Sequence, residues 1–101
     1  MSELYERPSV ERDVDGVTYK LVAYSAMTAL DYQFRMANEG ISPTLIQEMI
    51  LAGVTKNGVA FSKKTFDQEF TGKVPHLMRL WEEVLEYNLK DPLDESDSEE
   101  L

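Results

Sequence analysis

Between Ser9 and Val22 the chain alternates: Val10, Arg12 and Val14 share one side of a first run, and Val17, Tyr19 and Leu21 share one side of a second. Asp15-Gly16 separates the runs, and period-two alternation broken by Asp-Gly is the pattern of two antiparallel strands joined by a tight turn. A lone two-stranded ribbon is marginal in water, so its apolar side must lean on helices. The rhythm then slows to a helical one. "SAMTALDYQFRMANEG" opens on Ser25, a side chain suited to capping, and closes on Gly40, which tolerates a left-handed backbone. Met27, Leu30, Phe34 and Ala37 fall within about 80° of one another and read as a core stripe. Ala29, Tyr32 and Met36 form a second stripe on roughly the opposite side. Two apolar sides mean a helix sandwiched within the domain or half given to a partner, and the small size of the domain favours the sandwich.

"ISPTLIQEMILAG" has Ser42 as cap, Pro43 at the first helical position and Gly53 as its stop, with Leu45, Ile46, Met49 and Ile50 as its buried side. Asn57-Gly58 marks a second tight turn between short β-prone pieces. Ser62 caps a short helix, "KKTFDQEF", which carries Phe66 and Phe70 one turn apart and ends by Gly72. The last helix runs from about Val74 to Leu89. Around Leu77, the residues Val74, Trp81, Val84, Leu85, Leu80 and Tyr87, with Met78 and Leu89 at its edge, spread an apolar arc of roughly 200°, where a core stripe needs little more than ~100°. Two explanations stand open: a surplus for another polypeptide, or a central helix packed on two sides. Asn88 falls in the middle of this arc. Near a helix end its ordinary use is left-handed backbone geometry; the functional alternative is an amide that caps a partner's backbone. The expected fold is mainly α: about four helices with a small N-terminal β-hairpin. It forms one domain over 8–90, with a flexible arm at 1–7 and a disordered acidic tail at 91–101.

Charge sharpens this picture. The 101 residues carry a formal charge of −9, and residues 90–101 hold six acids against Lys90, which leaves −4 for the rest. An acidic chain lacks the positive footprint that tracks phosphate backbones, so nucleic acid is not an expected partner. No run approaches the ~18 apolar residues of a membrane helix, and no membrane role is expected. Without cysteine there is no disulfide framework and no thiolate chemistry. The one histidine, His76, follows Pro75 on the polar side of the last helix and reads as a surface first-turn residue rather than a general base. "DVDG" and "DESDSEE" lack the spacing of a calcium loop, and no phosphate-cradling or nucleophile-elbow motif occurs. The chain does not read as an enzyme, and no cofactor or metal is assigned to it.

One arrangement of segments is familiar. "DGVTYKLVAYSAMTALDYQFRM" resembles the opening of the lambda-type tail assembly chaperones of long-tailed bacteriophages, where a short ribbon leads into a helix beginning Ser-Ala. "FSKKTFDQEFTGKVPHLMRLWEEVLEYN" is similar to the wider tail-chaperone pattern of a short Phe-bearing helix before a long final one. The resemblance implies a non-enzymatic protein of the infected cell's cytoplasm, absent from the mature virion. It would bind the tape-measure protein, keep it soluble and help recruit the major tail-tube protein; self-association is left open. It also implies that many members come in two lengths through a −1 frameshift, this chain matching the shorter. Codon degeneracy permits a slippery heptamer across Asn88-Leu89-Lys90, which the gene's nucleotide sequence decides. The candidate partner-binding residues are Leu77, Leu80, Trp81, Val84, Tyr87 and Asn88 on the last helix, with Tyr32 and Met36 on the first. The rival readings are a small acidic protein-binding adaptor and a nucleic-acid-mimic inhibitor.

Overall fold

The computed structural model describes residues 7–89. They run β1 (Ser9–Val14), β2 (Val17–Val22), α1 (Ala26–Glu39), α2 (Pro43–Gly53), β3 (Val54–Lys56), β4 (Val59–Ala60), α3 (Lys63–Phe70) and α4 (Val74–Leu89). Apart from Arg7, the arm expected at 1–7 and the tail expected at 91–101 lie outside the described residues.

Local chemistry sets the boundaries. The Ser25 hydroxyl accepts from the Thr28 backbone N–H at 3.3 Å and the Ser42 hydroxyl from Leu45 at 3.1 Å. Ser62 and Thr65 cap each other reciprocally, side chain to backbone in both directions. Each contact satisfies a donor that the first helical turn would otherwise leave orphaned. Gly40 closes α1 at φ 82°, and its N–H donates to the Met36 carbonyl.

β1 and β2 pair in the register the alternation predicts, with Val10 opposite Leu21, Arg12 opposite Tyr19 and Val14 opposite Val17. Asp15 and Gly16 have φ of 55° and 86°, and Asn57 and Gly58 have 55° and 80°. Positive φ at both central residues belongs to the type I′ turn, whose twist matches that of the strands it joins. The second hairpin does not stand apart. β3 pairs antiparallel with β2, placing Val54 opposite Leu21, and the strand order is β1-β2-β3-β4. The expected N-terminal hairpin is present, and it forms part of a four-stranded sheet with β2 one of its interior strands. This pairing spans two intervening helices, so no local period announces it.

One face of the sheet is apolar and buried through Val14, Tyr19, Leu21 and Val54, while Thr18 and Lys20 point the other way and are exposed. The buried face joins Leu45, Met49 and Ile50 of α2, Phe66 and Phe70 of α3, and Leu80, Trp81 and Val84 of α4 in one core. α4 touches β1, α1, α2 and α3. Its broad apolar arc is that of a central helix packed on several sides.

Candidate interaction surface

Placement of α1 decides where the surplus apolar surface lies. Tyr32 is 4% exposed and packs edge-on against Tyr24 at 5.0 Å between ring centroids. The Arg35 guanidinium lies over the Tyr32 ring at 5.8 Å and makes a two-pronged contact with Glu48 of α2, at 2.9 and 3.0 Å. A planar fork matched to a carboxylate fixes orientation as well as distance. The stripe of Ala29, Tyr32 and Met36 thus faces the core. Met27 is 73% exposed, Leu30 43% and Phe34 61%, and Ala37 is exposed beside them. The expectation that Met27, Leu30, Phe34 and Ala37 form a core stripe is corrected: the helix is half open, and this is its open side. Both stripes are apolar, and the habit of burying Phe ahead of Tyr points the wrong way here.

Two grooves adjoin the helices. One, of about 530 Å³, lies between α1 and α4 and is lined by Gln33, Met36, Glu82, Leu85, Glu86 and Leu89. A second, of about 500 Å³, lies where α2 and α4 begin, and its apolar lining includes Ile41, Ile46, Phe66, Val74, Leu77 and Met78.

The sequence-predicted residues divide between these places and the core. Leu80, Trp81, Val84 and Tyr32 are buried, so direct contact with a partner is corrected to a packing role. Met36 lines the first groove and Leu77 the second, while Tyr87 is half-buried against the core. Asn88 keeps its place within α4. Its side-chain oxygen accepts from the Tyr24 backbone N–H at 2.9 Å and its amide nitrogen donates to the Val84 carbonyl at 3.3 Å. The amide caps backbone of its own chain, the lead-in to α1, rather than a partner's.

His76 is not a surface residue. Its side chain is 12% exposed, with Nδ1 2.8 Å from Asp15 Oδ2 and Nε2 2.8 Å from the Tyr19 hydroxyl. Tyr19 gives its one proton to Glu69 Oε2 at 2.7 Å, so the imidazole Nε2 donates to Tyr19, and the Asp15 carboxylate only accepts. Arg79 places a cation on Asp15, and Lys56 one on Glu69. The neighbours Arg79 and His76 hold the Asp15 carboxyl below its ordinary range, the His76 hydrogen bond foremost. Burial, with Glu69 beside it, pushes the Tyr19 phenol far up, which keeps it protonated. With both ring nitrogens engaged and Tyr19 fully buried, this chain of contacts ties the hairpin tip to α3 and α4. Only the fold could reveal it, since Asp15, Tyr19, Glu69 and His76 are scattered along the sequence.

Among the described residues no group of three or more His, Asp or Glu side chains is placed to hold a metal ion, and no helix is long and apolar enough to cross a membrane. Comparison with curated proteins and with solved structures returns no match. A family described as "Phage tail assembly chaperone protein, TAC" matches residues 43–99, more than half of the chain and from α2 through α4 and beyond. The chain belongs to the phage tail assembly chaperone family.

Proposed function

We propose that this protein is a non-enzymatic chaperone that binds the tape-measure protein of a long-tailed phage, keeps it soluble in the host cytoplasm and helps recruit tail-tube subunits. A tape-measure protein is a long helical rod whose apolar stripes aggregate unless covered. What supports the reading is the outer side of α1. Met27, Leu30 and Phe34 recur at helical spacing in the open, and contiguous exposed apolar surface of this kind marks interaction sites. An apolar helix face is also the surface that helix-in-groove recognition uses. The acids of the described body suit the rival phosphate mimic poorly. Asp15, Glu48, Glu69 and Glu83 are taken up in ion pairs within the fold rather than displayed in a regular array.

The test is co-expression with the tape-measure protein. Leu30→Glu with Phe34→Glu should move that partner from the soluble fraction to the pellet, while circular dichroism of the chaperone stays as in the wild type. A partner that remains soluble beside the doubly substituted chain would sink the reading for this face.

A further inference from the structure

The open stripe of α1 reads the same in both directions. From Met27 to Leu30 is a step of three residues, from Leu30 to Phe34 four, and from Phe34 to Ala37 three again. Alternating steps of three and four are the spacing of a helix that packs along another helix. A symmetric run of them has a further property. Laid antiparallel about a two-fold axis at the level of Tyr32, it meets itself. Met27 falls against Ala37 of the other copy and Leu30 against Phe34, and each contact occurs twice. At the ends a large side chain faces a small one, so the layers interdigitate rather than collide. We propose that this stripe is the seam of a two-fold homodimer in which the two α1 helices run antiparallel. The seam goes beyond the tail-chaperone reading and needs no tape-measure protein to form.

Charge suits this occupant. The stripe is flanked by exposed Asp31 and Asn38 on one edge and by exposed Ala26 and Gln33 on the other. Asp31 is the one charged group in those flanks, and its carboxylate meets Arg35 of the same helix at 3.6 Å. In the antiparallel register each Asp31 also has the other copy's Arg35 within about one turn along the axis. Copies of a chain with a formal charge of −9 therefore meet along a neutral seam. A foreign helix of like spacing fits the steps, but only a copy returns the same four residues in reverse order. Size sets the strength. The 14 residues of α1 make a strip about 21 Å long and about 10 Å wide, and two such strips bury less than the ~1,200 Å² of a standard stable interface. The dimer is weak, and a client helix that docks on Met27, Leu30 and Phe34 displaces the second copy.

Sedimentation equilibrium of the full chain, from micromolar to millimolar concentration, should show a monomer–dimer equilibrium. Phe34→Glu should raise its dissociation constant at least ten-fold while circular dichroism stays as in the wild type. Cross-linking tests the orientation, since the chain has no cysteine of its own. Met27→Cys chains mixed with Ala37→Cys chains and treated with a short thiol cross-linker should give chiefly the mixed product, identified by mass. Each substituted residue stands about 15 Å along the axis from its own counterpart, so like-with-like products should be minor. A chain that is monomeric throughout that range overturns the proposal. So does a dimer that Phe34→Glu leaves as tight as before, or like-with-like products as abundant as the mixed one. Species that grow past the dimer with concentration overturn it too, because they signal a head-to-tail contact that does not close. The co-expression test is read separately. A monomeric chain that keeps the tape-measure protein soluble removes the seam and leaves the chaperone reading in place; a dimer that leaves that protein in the pellet does the reverse.

Discussion

Gly53 closes α2, and a glycine at a helix end invites the explanation of left-handed backbone. Its φ is not positive, and what it supplies is room. A Cβ there would stand 2.7 Å from Tyr24 Cε1 and 3.2 Å from Cζ, inside contact distance. Tyr24 has little freedom to yield. Its hydroxyl donates to the Met49 carbonyl, its ring packs on Tyr32, and its backbone N–H is held by Asn88. Two effects compete in Gly53→Ala. Helix propensity favours Ala by about 1 kcal/mol, whereas forcing a methyl into a filled site costs about 1–3 kcal/mol. Since the blocking atoms belong to an anchored ring, the clash falls in the upper part of that range, about 2–3 kcal/mol, and urea denaturation should show a net loss of about 1–2 kcal/mol. A variant as stable as the wild type would show that the ring swings aside at no cost.

The two longest helices, α1 and α4, are both apolar over more than one face, yet they end in opposite situations. The centre of α4 is enclosed, and Trp81 is held there by packing, for among the described residues its indole N–H has no hydrogen-bond partner. Trp81→Ala should therefore cost about 3–5 kcal/mol in urea denaturation, while Phe34→Ala on the open side of α1 should stay within about 0.5 kcal/mol. Comparable losses at both positions would mean that the α1 stripe is packed after all. The contrast also marks what can be read from the chain. Caps at Ser25, Ser42 and Ser62, the Asp-Gly and Asn-Gly turns and the hairpin register are local physics, and all are legible residue by residue. That some apolar surface outruns the core is legible too, from helices with two greasy sides. Which helix carries the excess is not, because it depends on who the neighbours are. Tyr32 turns inward because Tyr24 packs on its ring and Glu48 of α2 anchors the Arg35 guanidinium over it, and periodicity holds no record of those neighbours.

Across the whole molecule, ion pairs stitch element to element. Asp15 at the hairpin tip holds His76 and Arg79 of α4; Arg12 of β1 meets Glu83 of α4 at 3.3 Å. Arg35 of α1 grips Glu48 of α2, and Lys56 of β3 grips Glu69 of α3. Three of these carboxyls are displaced downward from ordinary values of 3.8 for Asp15 and 4.5 for Glu48 and Glu69. His76 and then Arg79 act on Asp15, and the Arg35 hydrogen bond acts on Glu48. For Glu69 burial works upward, but the Tyr19 hydroxyl and the Lys56 ammonium together outweigh it. A carboxyl whose folded value lies below its unfolded one contributes stability that is fully present above the unfolded value and is lost as pH falls through the folded one. Asp15 and Glu48 are solvent-screened and burial works against Glu69, so each effect is modest, but the three share one sign and one pH window. The urea midpoint should hold level from pH 7 to about 5 and then decline below about 4.5 as these carboxylates protonate. Asp15→Asn combined with Glu48→Gln and Glu69→Gln should start from a lower midpoint at pH 7 and flatten the acid decline, because the titrating groups are gone. A wild-type midpoint that stays level to pH 3 would show that the stitching carries no weight, leaving the apolar core alone to hold the hairpin against the helices.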